Sequence, residues 1–479
     1  MDDFRGRFRS YGGGTDGFRA PKPQPKPTQR PKPATARPTP KVQPDEDFLS
    51  IQKPSKKRKS KKKSGRGKKT IISLVAILMV GAGGFFGWRW YANYKDQNSK
   101  DAFSLGDGPK NENTDAEKLR QTQEQPAAES VATGKIRIMA GGDNIPMSAI
   151  LERAKAGSQY NFDKMFAGIK PVMEKADITM CQQPTPSGGE ASGFSGHPVY
   201  NAPSSWATAL NTAGCTVVDL ASNHTNDKGQ KAIDATISNW EKQPEMKAVV
   251  GAQRSQKELD ELEVYAVKNI NFASLSYTTS SNKSPEKPYS VSIYSDALAK
   301  KQIAEARKKA DIVTVHINWG TEYETGVTSA QNKTAQKLAD FGADIVIGHG
   351  SHTLQPVKVL SGSDGRSTIV WFGLGNMLNA QLEIEALIGG FAVMDVDIAT
   401  KKVSVLGFLP TYSHYEWTAA QKSANDLLAR KNFGVHPLDA SASLLTKSLN
   451  STNVSAQTAR VKSIMNTHQK TAILTTDKL

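Results

Sequence analysis

A short apolar run that ends in a cluster of polar side chains constrains the fold of this chain more than any other stretch. Residues 216–229 read TVVDLASNHTNDKG: a β-branched, apolar half typical of a buried strand is followed at once by Ser222, Asn223 and His224. Open α/β sheets place their binding sites outside the carboxyl ends of such strands. An amide oxygen beside an imidazole suits a divalent metal. Taken alone, the stretch is equally well explained by helix capping at Asn223 and Asp227 beside an ordinary polar histidine.

The net charge of +16 over 479 residues comes from one terminal segment. Residues 1–92 contain 22 Lys and Arg against 6 Asp and Glu, whereas the remaining residues carry equal numbers of both signs. A nucleic-acid-binding domain carries its basic excess on the folded part. We therefore expect no nucleic-acid partner.

Three segments precede the predicted folded domain. Residues 1–69 are rich in Pro, Lys and Arg, which predicts a disordered cytoplasmic tail. Residues 70–91 begin with an uncharged run and end in aromatic side chains, as expected for one transmembrane helix. Residues 92–133 are polar and are predicted to form a linker. The basic flank predicts a single-pass protein of the cell membrane with a cytoplasmic N-terminus and an extracellular C-terminal domain.

The predicted folded domain spans residues 134–409, and a helical extension is predicted at 410–479. Strands and helices alternate first, and strands at hairpin spacing follow, which predicts a mixed sheet or two packed sheets with helices outside. Cys181 follows a predicted strand, whereas Cys215 precedes one. If these strands are parallel neighbours, the two sulfurs lie at opposite ends, so we expect two free thiols.

Polar turns at the ends of predicted strands supply further candidate ligands. His349 and His352 lie in GHGSH, where a glycine lets the chain turn and two imidazoles three residues apart can converge on one ion. Asp143 ends the first strand; alone it would be explained as a turn or cap carboxylate, but beside these residues it is the natural anionic ligand. Together with Asn223 and His224, they suit one or two ions of Mn, Fe or Zn.

These motifs, in this order, resemble the bacterial capsule-synthesis CapA family, the poly-γ-glutamate synthesis proteins, which are related to calcineurin-like metallophosphoesterases. The resemblance covers residues 135 to about 409 and is carried by GGDNIPM (141–147), ADITMCQQPTP (176–186), PVYNAPSSWATALNTAGCTVVDLASNHTNDKG (198–229), NWGTEY (318–323), ADIVIGHGSHTLQPV (343–357) and FGLGNM (372–377). It implies a four-layer α/β/β/α metallophosphoesterase-like sandwich outside the membrane. It also implies a role in making or exporting an anionic surface polymer.

Two positions depart from the family pattern. This chain has Pro184 where the family has a glutamate, and Asn318 where the family has a histidine before Trp-Gly. His316 lies two residues earlier on the same face of the predicted strand, and Asn318 itself offers an oxygen, so both remain candidate ligands. Glu322 or Glu190 would be able to replace the missing carboxylate.

Two hypotheses of different class follow. In the first, the chain is a metal-dependent hydrolase or transferase, in which His224 protonates the leaving oxygen or stabilises the transition state, and Asn376 and Glu322 contact the substrate. In the second, it is a non-catalytic assembly or polymer-binding protein with a degenerate metal site. Its Pro-rich tail would then dock other membrane synthesis proteins. Under either hypothesis the expected partners are the membrane and an anionic surface polymer or its precursor.

Overall fold

The computed structural model describes residues 134–479. The predicted tail, membrane span and linker at 1–69, 70–91 and 92–133 lie outside the described residues. Within the described part, none of the helices combines the length and hydropathy needed to cross a bilayer.

The described elements are as follows. The strands are β1 (Lys135–Asp143), β2 (Lys155–Ala156), β3 (Gln159–Tyr160), β4 (Ile178–Gln182), β5 (Val217–Asp219), β6 (Ala248–Val250), β7 (Val264–Val267), β8 (Ile270–Thr278), β9 (Ile312–Asn318), β10 (Ile345–His349), β11 (Leu354–Ser361), β12 (Ser367–Leu374), β13 (Ile388–Asp397), β14 (Val403–Glu416) and β15 (Lys431–Pro437). The α-helices are α1 (Ser148–Ala154), α2 (Asp163–Phe166), α3 (Lys170–Met173), α4 (Ser205–Ala213), α5 (Gln230–Glu241), α6 (Gln256–Asp260), α7 (Asp296–Lys309), α8 (Ser329–Phe341), α9 (Ile384–Leu387), α10 (Ala419–Ser423), α11 (Ala442–Lys447) and α12 (Val454–Met465).

Two mixed sheets form the centre of this part of the chain. The first has the strand order β15-β14-β13-β1-β4-β5-β6 and the second β11-β12-β10-β9-β8-β7. In the first sheet β1, β4, β5 and β6 run parallel, and in the second β8, β9, β10 and β12 do so. Antiparallel strands extend both sheets, β13 to β15 on one and β7 and β11 on the other.

The two sheets pack face to face between layers of helices. Ile347 and Trp371 of the second sheet share one hydrophobic core with Ile138 of the first sheet and with α4 and α5. On the other face of the second sheet, Val315 packs in a separate core with Leu338 and its neighbours on α7 and α8. Burying both faces of each sheet requires this order of layers. The predicted α/β/β/α sandwich is confirmed.

Local signals set where the helices of the second sheet begin and end. The Ser295 hydroxyl accepts the Leu298 N–H at 3.2 Å at the start of α7. A capping box between Thr328 and Gln331 starts α8, which ends at Gly342 with a left-handed φ of +105°. The chain therefore turns directly from α8 into β10, whose far end carries His349.

The two cysteines form a disulfide, so the prediction of two free thiols is wrong. The Cα atoms of Cys181 and Cys215 are 5.9 Å apart. β4 and β5 are parallel neighbours as expected, but β5 is only three residues long and begins opposite Met180, one residue before Cys181. The turn that carries Cys215 therefore reaches Cys181.

Residues 410–479 are not wholly helical, in contrast to the prediction. β14 continues to Glu416, and β15 pairs with it antiparallel and extends the first sheet. Between the two strands, the helical structure is limited to α10 and a 3₁₀ turn at Leu427–Ala429. β15 buries Phe433 and Val435 at alternate positions, but Gly434 between them weakens the strand signal in the sequence.

Candidate metal centre

The carboxyl ends of parallel strands from both sheets converge at one place. β1 ends at Asp143, β4 at Gln182 and β5 at Asp219, and pairing places these three residues side by side across the first sheet. From the second sheet, β10 ends at His349, and β9 carries His316 two residues before its end. This is the edge at which sheets of this kind bind ligands.

Asp143 is held by residues of the turn that follows β10. Its carboxylate oxygens lie 3.1 Å from His349 Nδ1 and 3.2 Å from His352 Nδ1, and Gly350 donates its N–H to Oδ2 at 3.2 Å. Burial alone would raise the pKa of Asp143, but the hydrogen bonds from His349 and His352 outweigh it and lower the pKa to about 2. Asp143 is therefore an anion at neutral pH.

His352 is fixed in an uncommon backbone conformation. Its φ is +55°, a value that costs free energy in a residue with a side chain and that is concentrated at functional sites. Its Nδ1 is also 3.0 Å from Asn376 Oδ1. Burial lowers the pKa of His352, but the neighbouring Asp143 carboxylate outweighs burial and raises it. The strained turn thus holds His352 against Asp143.

A second, deeper group consists of Asp219, His316 and His349. One ligand atom from each of the three lies within 4.8 Å of the other two, and all three side chains are buried. The rings of His316 and His349 stack with centroids 5.8 Å apart. Burial raises the pKa of Asp219 to about 6, and burial together with His349 lowers the pKa of His316 to about 3. His316 is therefore a neutral imidazole, the form that ligates metals.

The unpaired atoms of this group fit a metal ion. Among the described residues, Asp219 Oδ2, His349 Nε2 and both nitrogens of His316 are buried and have no hydrogen-bond partner. His349 Nε2 and Asp219 Oδ2 are 3.8 Å apart, too far for a hydrogen bond. Buried polar atoms are rarely left unpaired. One carboxylate and two imidazoles form a donor set that suits Mn, Fe or Zn.

A cleft of about 340 Å³ is lined mainly by the turns that follow strands of both sheets. It is lined by Ile145, Pro184, Thr185, His197, Tyr200, Asn223, His224, Asn318, Glu322, Tyr323, Glu324, His352 and Gln381. His352 belongs both to this lining and to the Asp143 contacts, so the cleft reaches the cluster of buried ligands.

His224 lies on the wall of this cleft, paired with a carboxylate. Its Nδ1 is 2.8 Å from Asp227 Oδ2, which also accepts the Tyr200 N–H at 2.7 Å. The Tyr200 ring packs edge-on against the imidazole with centroids 4.8 Å apart. With an N–H at Nδ1 facing Asp227, Nε2 is the acceptor for the Asn282 side-chain N–H, with 3.3 Å between the two nitrogens.

Short polar side chains build the turn that presents His224. The Ser222 N–H donates to Thr225 Oγ1 at 2.8 Å, and the His224 N–H donates to Ser222 Oγ at 2.9 Å. The Ser222 hydroxyl also donates to the Pro184 carbonyl. Pro184, at the position of the family's glutamate, therefore contributes its backbone to the cleft wall.

The structure sorts the predicted site residues into two groups. Asp143, His316 and His349 come together in the buried cluster, and the half-buried His352 contacts Asp143 and also lines the cleft. Asn223, His224, Asn318 and Glu322 line the cleft. Asn376, predicted to contact substrate, is instead fully buried and contacts His352, whereas Glu190 lies on an exposed 3₁₀ turn.

Two functional side chains were missed by the sequence prediction. Asp219 was interpreted only as part of a buried strand, and Asp227 only as a helix cap. The available signal was a carboxylate in the middle of the apolar run TVVDLA, because charged side chains are almost never fully buried unless they are paired.

Comparison with known proteins places the chain in a family. A model of the family described as "Bacterial capsule synthesis protein PGA_cap" matches residues 137–381, just over half of the chain. The chain belongs to this family. The matched region contains the whole buried cluster and all the residues that line the cleft.

Two curated relatives carry capsule-related names. The "Capsule biosynthesis protein CapA" of Bacillus anthracis is 29% identical over 245 residues, which cover 46% of this chain and 55% of that protein. The "PGA biosynthesis protein CapA" of Bacillus subtilis (strain 168) is 32% identical over 167 residues, 34% of this chain and 42% of that protein. The chain thus spans about half the length of these relatives.

Solved structures resemble part of the chain. A hypothetical protein from Thermus thermophilus matches with a TM-score of 0.36 and 15% identity, over 57% of this chain and 98% of that one. The 5'-nucleotidase from Candida albicans SC5314 matches with a TM-score of 0.34 and 9% identity, over 57% of this chain and 51% of that one. The purple acid phosphatase PPD1 from yellow lupin (Lupinus luteus) seeds matches with a TM-score of 0.30 and 13% identity, over 59% of this chain and 52% of that one.

Proposed function

We propose that this chain is a metal-dependent hydrolase of phosphoester or related bonds that acts in the synthesis or export of a capsule polymer such as poly-γ-glutamate. The observation that carries the proposal is the group Asp219, His316 and His349, whose buried ligand atoms are unpaired among the described residues. Membership of the capsule synthesis family and the names of the two relatives support the polymer role.

The residues of the cluster have different roles in the proposed metal site. Asp219, His316 and His349 would be its ligands, and the ion would supply a Lewis acid that stabilises negative charge on oxygen. Asp143 accepts from His349 Nδ1 at 3.1 Å, which directs Nε2 towards Asp219. Carboxylates that orient metal-binding histidines in this way raise the basicity of the ligand.

His224 is the proton donor of the proposal. Asp227 fixes the orientation of the ring through Nδ1, so that Nε2, on the opposite side of the ring, would pass a proton to the leaving oxygen. Because Tyr200 contacts both partners, the pair is held as one unit on the cleft wall.

The alternative of a non-catalytic assembly protein was motivated by the family residues missing at positions 184 and 318. Asp219 supplies a carboxylate and His316 an imidazole within the same cluster. The two departures therefore leave a complete donor set, which favours the catalytic proposal.

The proposal includes an extracytoplasmic location on a single membrane anchor. The uncharged run at 70–88 with its basic flank supports the anchor. The disulfide between Cys181 and Cys215 supports the location, because disulfides persist in oxidising compartments. In this location the partners would be the anionic polymer or its precursor and other membrane synthesis proteins.

A phosphoesterase assay on the full-length chain tests the function. The chain is loaded with Mn²⁺, Fe²⁺ or Zn²⁺ and assayed with p-nitrophenyl phosphate and bis(p-nitrophenyl) phosphate. We expect metal-dependent turnover that falls roughly 100-fold or more in His349→Ala. His468→Ala, which changes an exposed histidine, is the control and retains full turnover. Unchanged turnover and metal content in His349→Ala and Asp219→Asn would contradict the proposal.

A further inference from the structure

Gln182 occupies the position between the two aspartates of the site. It ends β4 and pairs in register with Asp219 on β5, and it also pairs with Asp143 on β1, after a register shift between Ala140 and Asp143. Residues paired in register on neighbouring strands lie about 5 Å apart and project from the same face of the sheet. His349 contacts both aspartates, so this face is directed at the second sheet. The Gln182 side chain therefore leaves the sheet in the direction of the deeper ligand group.

Both polar atoms of the Gln182 amide are unsatisfied. The residue is fully buried, and neither Oε1 nor Nε2 has a hydrogen-bond partner among residues 134–479. Since a buried amide normally forms hydrogen bonds, this side chain needs an explanation. Asp219 Oδ2 and the nitrogens of His316 are unsatisfied in the same way.

The next residue shows that the fold is able to satisfy a buried glutamine. Gln183 is also buried, but its Nε2 donates to the Thr185 carbonyl at 2.8 Å and to Ser187 Oγ at 3.1 Å. Its Oε1 accepts from Trp240 Nε1 at 2.9 Å. The two adjacent glutamines therefore differ. Protein hydrogen bonds fix the side chain of Gln183, whereas the side chain of Gln182 is directed towards the proposed metal ligands and has no hydrogen-bond partner among the described residues.

We propose that Gln182 is a further ligand of the metal ion and binds it through the amide oxygen. The inference rests on the proposed function, because it concerns the ion held by Asp219, His316 and His349. The site then has two oxygen and two imidazole donors and no thiolate, a set that suits Mn²⁺ or Fe²⁺. The amide adds an oxygen without a second buried charge, beside an aspartate whose own burial is already costly.

Mn²⁺ binding to the full-length chain tests the inference through Gln182→Leu and the matched control Gln183→Leu. Isothermal titration with MnCl₂ measures affinity, and thermal unfolding in EDTA measures the stability of the metal-free protein. We expect Gln182→Leu to weaken Mn²⁺ binding at least tenfold, while its unfolding temperature equals or exceeds that of the wild type, because no hydrogen bond is lost. Gln183→Leu is expected to bind Mn²⁺ as the wild type does and to unfold at lower temperature. Gln182→Glu keeps an oxygen at this position and is expected to retain binding.

The outcomes separate this inference from the proposed function. If Gln182→Leu binds Mn²⁺ like the wild type while Asp219→Asn does not, Gln182 is not a ligand and a buried water satisfies its amide. If the wild-type chain binds no divalent metal, the proposed function is wrong and this inference falls with it. Equal loss of Mn²⁺ binding in Gln182→Leu and Gln183→Leu, with equal loss of stability, would also overturn the assignment, since both effects would then arise from the fold.

Discussion

Replacing Asp219 by Asn is expected to stabilise the metal-free protein while it abolishes tight metal binding. The substitution keeps the shape of the side chain, and Oδ1 still accepts hydrogen bonds from Ser276 Oγ and from the Ala221 N–H, which is 2.9 Å away. It removes a carboxylate that is fully buried and whose Oδ2 has no partner in the described part of the chain. The cost of holding this charge without a metal ion therefore disappears.

The pKa of Asp219 sets the size and sign of this effect. Burial raises it from 3.8 to about 6 in the folded protein, so the folded chain binds this proton more tightly than the unfolded chain does. Its contribution to stability is full below pH 3.8 and is lost as the pH rises through 6. A difference of about 2 in pKa corresponds to about 3 kcal/mol. At pH 8 in EDTA, Asp219→Asn should be more stable than the wild type by about this amount, and near pH 4 by almost nothing.

Asp143→Asn provides a comparison with the opposite sign. The pKa of Asp143 is lowered to about 2 through its histidine contacts, so its contribution is present above 3.8 and is lost as the pH falls through 2. At pH 8 we expect Asp143→Asn to destabilise the metal-free protein by about 2 kcal/mol.

Urea denaturation in EDTA between pH 4 and pH 8 measures both variants, and the same titrations with added Mn²⁺ measure the stabilisation by metal. At a Mn²⁺ concentration of 100 times Kd, the wild type should gain about 2.7 kcal/mol and Asp219→Asn much less. The reasoning is refuted if Asp219→Asn is less stable than the wild type in EDTA at pH 8, or if Mn²⁺ stabilises it as much as the wild type.

Three further predictions concern pH, catalysis and the disulfide. Because protons compete with metal for Asp219, whose pKa is about 6, Mn²⁺ affinity measured by titration should fall about tenfold per pH unit below pH 6 and level off above it. His224→Ala should lower phosphoester turnover by roughly 10²–10⁴-fold and Asp227→Asn by a smaller factor, both with metal content unchanged by mass spectrometry; loss of metal in either would place the pair among the ligands. The double variant Cys181→Ser/Cys215→Ser opens a loop of 34 residues and should lower the unfolding free energy in urea by about 3–4 kcal/mol, whereas a wild-type chain with two titratable thiols would disprove the pairing.

A mixed sheet or two packed sheets with helices outside could be predicted because burial leaves a periodic pattern in the sequence, whereas the four-layer sandwich was implied by the family resemblance. Continuous apolar runs such as the one ending at Asp143 indicate strands covered on both faces, and amphipathic stretches between them indicate helices. That His349 and His352 lie together beside Asp143 could be predicted for a similar reason, since a glycine and two histidines in one turn form a local signal. Features that depend on residues close together in the sequence could therefore be predicted.

The remaining features depend on how distant strands align. Asp219 becomes a candidate ligand only because β10 brings His349, 130 residues further along the chain, close to it. The disulfide forms only because β5 begins opposite Met180. The sequence prediction placed Cys181 and Cys215 at opposite ends of two parallel strands and therefore gave two free thiols. The role proposed for the Gln182 amide depends on the pairing of Gln182 with Asp143 and Asp219 on the neighbouring strands. Register between strands is a property of tertiary packing, which the pattern of a single sequence does not specify.

The proposed ligands come from both sheets, so the site forms only when the two sheets pack together. Asp219 and Gln182 belong to the first sheet, and His316 and His349 belong to the second, so neither sheet alone holds enough donors to retain an ion. These contacts join distant parts of the chain, and the loops between them must close before the donors meet. Under the proposed function, metal capture would therefore be a late event in folding, coupled to the docking of the sheets. With the proposed extracytoplasmic location, the ion would then come from the outer compartment, and the metal supply there would select the cofactor.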